Sequence, residues 1–140
     1  MTLDLPRILT LAGALVIGLL GSVHLACTFF TGKFLPRDSA LVDAMKATSP
    51  VLTRQTTMWK AWIGFNASHS LGAILFAAVY VLLATRHMEI LVQSKELVLV
   101  GVATCLAYLW LAHTYWFRVP FTGIAISTAC FIAAAILMVI

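Results

Sequence analysis

Four histidines stand in this sequence, and three of them fall inside long apolar stretches, where an imidazole is costly to place. His24 lies towards the end of the first such stretch, His69 in the middle of the second, and His113 near the end of the third. A neutral imidazole in that setting has a short list of uses. Three can ligate zinc, copper or iron and leave a coordination position open. Two on facing helices can ligate a haem. Any of them can hydrogen-bond a quinone, a sterol or a lipid carbonyl. His24, His69 and His113 are therefore the candidate metal ligands, with a metal ion or haem as the candidate cofactor. His87 falls in a short charged segment and is not part of the set.

The neighbours of these histidines extend the candidate site. Asn66, His69 and Ser70 are spaced by three and four residues, so one helix face can carry all of them. Thr28 follows His24 by four residues, and Trp116 follows His113 by three. The expected ligand-binding set is His24, Asn66, His69 and His113, with Thr28, Ser70 and Trp116 beside them. The competing use of each residue is a hydrogen-bonded clip between helices, worth about 0.6 kcal/mol on average. No Asp or Glu lies deep within these stretches. That argues against a diiron carboxylate site and a proton-coupled exporter, and it denies a catalytic metal its usual acidic outer partner.

The elements that must position these residues follow from composition. Of 140 residues, 62% are hydrophobic and 10% charged, against roughly 45–50% and about 25% in soluble domains. Lipid has to solvate the remainder. Four segments approach the roughly 20 residues that a membrane-crossing helix needs, at about 6–30, 59–84, 97–117 and 121–140. Helices are the economical choice, because lipid offers the backbone no hydrogen-bond partners. The expected fold is an all-α integral membrane four-helix bundle, with the whole chain as a single transmembrane domain.

Asp4 is a plausible cap for the first helix, and Pro6 suits its first turn. The first stretch lacks an A-x-A cleavage site, and His24 stands where a lipobox would want an aliphatic residue. It reads as a retained span. Arg118-Val119-Pro120 reads as a very short turn joining spans three and four in an antiparallel hairpin. At about 1.5 Å per residue, His24, His69 and His113 lie roughly 10, 15 and 7 Å from the same face of the membrane. Three imidazoles from three spans then share one layer.

Outside the spans, the 31–58 segment is the only sizeable stretch. Asp38 and Ser39 can cap a short helix that ends before Pro50. Leu41, Ala44, Met45 and Thr48 fall along one side of it, Asp43 and Lys46 along the other. It reads as an interfacial helix lying on the bundle, or else as an ordinary loop. Residues 86–96 read as a short charged loop. The 31–58 segment, the first residues of the second span and the 118–120 turn share one side and hold Lys33, Arg37, Lys46, Arg54, Lys60 and Arg118, against Arg7, Arg86 and Lys95 on the other side. That excess turns the 31–58 side to the cytoplasm and both termini outwards, most naturally in a bacterial inner membrane.

The net charge of +4 is scattered over short segments. It fits anionic lipid headgroups and forms no nucleic-acid surface. Cys27, Cys105 and Cys130 show no metal-ligand spacing and read as small buried hydrophobes. Gly64, Ser68 and Gly72 make a small-residue strip where a second helix can approach, either within the bundle or from another copy of the chain. Gly18 with Ser22, and Gly123 with Ser127, make similar patches. Trp59, Trp62, Tyr115 and Trp116 lie near span ends, where amphipathic rings settle.

The stretch from Trp59 to Gly72, with its Gly-Phe-Asn-x-Ser-His-Ser core at 64–70, and the His24-Leu25 pair resemble a group of small uncharacterised bacterial four-span membrane proteins. The resemblance covers nearly the whole chain. It implies a four-helix membrane fold and brings no activity, substrate or cofactor with it. The leading expectation is a small membrane protein whose histidine-lined pocket binds a lipophilic ligand, a metal or haem. The alternatives are a membrane-embedded oxidoreductase or isomerase acting on a lipid-like substrate, and a structural subunit of a membrane complex. A small transporter ranks last, since no intramembrane carboxylate is present.

Overall fold

The computed structural model describes residues 5–139 and is all-α over that range. Asp4, the expected cap, and Ile140, the expected end of the last span, lie outside the described residues. The elements are α1 (Leu5–Phe30), α2 (Ser39–Ala47), α3 (Met58–Arg86), α4 (Met88–Gln93), α5 (Lys95–Tyr115) and α6 (Arg118–Val139). Four of them, α1, α3, α5 and α6, are long and apolar enough to cross a membrane. The chain is an integral membrane protein of the all-α, four-span class that its hydropathy predicts.

Expectations about the connecting segments fare unevenly. The expected short helix forms as α2, with the Asp38 carboxylate accepting a hydrogen bond from the Ala40 backbone N–H at 2.9 Å. No residue of α2 is buried, and of the expected apolar side only Met45 is half-buried. The 86–96 loop is in fact largely helical. Met88 and Leu91 anchor α4 in the core, three residues apart on one face, and Ser94 then caps α5 by accepting from the Leu97 N–H. The Arg118-Val119-Pro120 turn is also displaced. Those residues open α6, and the chain reverses at Trp116 and Phe117. Proline lacks an N–H, but the first turn of a helix has no intrahelical acceptor for one.

The chain divides into two compact units. Gly21–Gly72 form one, and the described residues on either side of that range form the other. The larger unit holds the apolar core, in which Ile17, Tyr80, Leu91, Cys105, Ile124 and Phe131 are buried. Helices approach closely there through small residues. A Cβ on Gly13 would stand 2.8 Å from the Phe131 ring, and one on Gly123 would stand 2.7 Å from Leu20. Between them, buried Ser127 donates to the Gly13 carbonyl at 2.8 Å. Buried Tyr80 donates to the Leu97 carbonyl at 2.6 Å and packs with Phe76 and Phe131 in an aromatic cluster. The Gly123/Ser127 patch thus serves packing within this unit. All three cysteines are free thiols, with Cys105 buried and Cys27 and Cys130 half-buried.

Candidate functional site

The Gly21–Gly72 unit brings the end of α1, the 31–38 segment, α2 and the start of α3 together. Its polar centre is built from His24 on α1 and Asn66 on α3. The Nε2 of His24 lies 2.9 Å from the Oδ1 of Asn66. The other half of that carboxamide is already committed, since Asn66 Nδ2 donates to the Trp62 carbonyl one turn earlier at 2.8 Å. A carboxamide oxygen can only accept, so the shared proton belongs to His24 Nε2. A neutral His24 then has its lone pair on Nδ1. The arrangement resembles the outer support of a ligating histidine, in which one ring N–H is tied to an oxygen and the other nitrogen is left for a ligand.

Two rings flank His24. His69, one helical turn beyond Asn66, stands with its ring centroid 5.5 Å away and edge-on at 73°. Phe34 lies 4.4 Å away on a tilted face. The 31–38 segment is held to α3 by the Trp62 indole N–H, which donates to the Phe34 carbonyl at 3.3 Å. Both histidines and Asn66 are half-buried. Thr28 and Ser70 are buried, and their hydroxyls donate back along their own helices. Thr28 bonds to the His24 carbonyl and Ser70 to the Asn66 carbonyl, each at 2.8 Å. Their protons are therefore used within the helices that carry the two bridging side chains, an arrangement that often bends a helix locally.

His113 and Trp116 belong to the other unit. Gly101, Cys105 and Ala112 mark the buried face of α5, and His113 lies one residue past Ala112, about 100° further round the helix. Its ring is exposed and stands 6.0 Å from that of Phe121. Trp116 packs against the apolar core, with its ring 6.2 Å from that of Tyr108. Among the described residues, no group of three or more His, Cys, Asp or Glu side chains could hold a metal ion. Of the three imidazoles expected to share a metal, His24 and His69 come together within the Gly21–Gly72 unit, while His113 is carried by the other unit. Span depth gave no information about rotation, and rotation turns His113 off the buried face of its helix.

Two residues of this centre were not among the candidates. Trp62 falls four residues before Asn66 and seven before His69, on one stripe of α3, so spacing could have found it. Phe34 carries no such signal, being a single aromatic in a segment without periodicity. The small-residue strip behaves unlike the other glycine patches. Gly64, Ser68 and Gly72 are exposed, and a Cβ on Gly64 would meet nothing within 4 Å. Comparison of the chain with protein-family models, curated proteins and solved structures finds no match.

Proposed function

We propose that the chain is a small binding protein of the bacterial inner membrane, with both termini outside the cytoplasm. Its Gly21–Gly72 unit would receive a lipophilic molecule bearing a hydroxyl or carbonyl group. The single observation that carries this reading is the bridge from His24 to Asn66. It fixes one imidazole in the Nε2–H form, keeps Nδ1 as an acceptor, and does so beside a second imidazole and the ring of Phe34. Apolar walls with a few oriented polar groups are what small lipophilic ligands require. His24 Nδ1 would accept from a ligand hydroxyl, His69 would supply a second polar contact, and Phe34 would cover the apolar body.

The test uses purified full-length chain in lipid nanodiscs, with a short-chain quinol and a fluorescent sterol as probes. Saturable binding of either is expected, weakened at least tenfold in His24→Ala and in His69→Ala. Absence of binding, or equal binding by the variants, overturns the reading and leaves a structural role, in which the exposed Gly64, Ser68 and Gly72 strip meets a second copy of the chain. A haem absorption band or stoichiometric metal in the same preparation would transfer the reading to a cofactor-bearing oxidoreductase.

A further inference from the structure

A groove of about 340 Å³ runs along the larger unit, lined by Val92 of α4, Lys95, Val98, Leu99 and Val102 of α5, and Met138 of α6. Its lining on α5 follows helical spacing, with Lys95 at the head and Val98, Leu99 and Val102 three, four and seven residues on. At about 1.5 Å per residue the apolar floor extends roughly 10 Å into the span. Lys95 is the first residue of a membrane-crossing helix, so it stands where hydrocarbon gives way to headgroups. Its side chain is exposed, and among the described residues no carboxylate lies within ion-pair distance of its ammonium. Glu96, the next residue, accepts a hydrogen bond from the Ser94 hydroxyl at 3.1 Å and feels the Lys95 charge without closing a salt bridge to it.

From the joining of a cation to a lipid-facing apolar channel at this depth, we infer that the groove is a binding site for an anionic phospholipid. One acyl chain would lie along Val98, Leu99, Val102 and Met138, and the phosphate would meet the Lys95 ammonium. Charge complementarity selects this occupant. A zwitterionic lipid would fill the same channel but offer the ammonium no net charge. The site shares no residue with the His24–Asn66 centre and does not depend on it.

The experiment is native mass spectrometry of the purified full-length chain. The protein is equilibrated with equal amounts of phosphatidylglycerol and phosphatidylcholine carrying identical acyl chains. Wild type is expected to retain the anionic lipid about fivefold over the zwitterionic one, the size expected for one basic residue at an anionic surface. Lys95→Gln should bring the ratio close to one, and Lys95→Arg should restore it. Lys60→Gln, which removes a cation from the smaller unit, should leave it unchanged. Val98→Trp should lower retention of both lipids by filling the channel. An unchanged ratio in Lys95→Gln, or an equal loss in Lys60→Gln, would show that net charge and not this groove selects the lipid. Either result would overturn the inference.

Discussion

Asn66 holds His24 by its carboxamide oxygen while giving its amide to the Trp62 carbonyl one turn below. Each partner thereby determines the other's orientation. The carboxamide cannot flip without losing a bond to its own helix, and the imidazole cannot move its proton to the other nitrogen without losing α3. Asn66→Ala should lower the unfolding free energy in detergent by about 0.6 kcal/mol, the average for a hydrogen bond between membrane helices, and by no more than about 1.7 kcal/mol. A double-mutant cycle with His24→Ala isolates the pair. Coupling indistinguishable from zero would mean that the contact is not maintained in the membrane.

Gly101 and Gly64 make opposite predictions for the same substitution. A Cβ at Gly101 would lie 2.9 Å from the Tyr80 hydroxyl and 3.0 Å from its ring, and that ring is pinned by its hydrogen bond to Leu97. Gly101→Ala should destabilise the chain by about 1–3 kcal/mol through overpacking. Gly64→Ala meets open space and should be neutral, or stabilising by up to about 1 kcal/mol from helix propensity. Thermal unfolding of both variants in one detergent checks the pair. If Gly64→Leu also alters the oligomeric state, the exposed strip is a contact between copies.

Tyr80→Phe keeps the ring among Phe76 and Phe131 and removes only the hydroxyl that ties α3 to the first turn of α5. The expected loss is about 1 kcal/mol, the usual net worth of one hydrogen bond. A fall in melting temperature with an unchanged helical circular dichroism spectrum would match it. No change would mean that packing alone sets the place of Tyr80.

His113 offers a discriminating control for the binding reading. Its ring is exposed and stands against that of Phe121. His113→Ala should shift stability by less than about 0.5 kcal/mol and leave probe binding within twofold of wild type. Loss of binding comparable to that of His24→Ala would make His113 a third member of the site.

The spans were legible because lipid imposes a minimum length of apolar helix, and four segments meet it without competition. The shorter elements were not equally visible. Asp38 and Ser39 announced α2 by capping chemistry, whereas α4 is six residues long and rests on Met88 and Leu91, too few to set up a period. Depth counting anticipated that His24 and the Asn66–His69 stripe would come within reach of each other. For His113 it fixed height but not azimuth, and the ring proves to be exposed on α5. Phe34 could not have been found at all, since its place beside His24 depends on the Trp62 indole holding a segment that has no regular structure.

The helix α2 has a consequence for any preparation of this protein. None of its side chains is fully buried, and the chain holds it by the Asp38 cap, the Thr48 N–H on the Ala44 carbonyl, half-buried Val42 and Met45, and the approach of the Lys46 ammonium to the face of Trp59 at 5.9 Å. Leu41 and its neighbours stay exposed, and in a bilayer they would rest against the headgroup layer. Detergent is therefore not a neutral substitute for a bilayer in this segment. A micelle could leave the four long helices unaltered while α2 frays, and total helicity, dominated by those four, would barely register the loss.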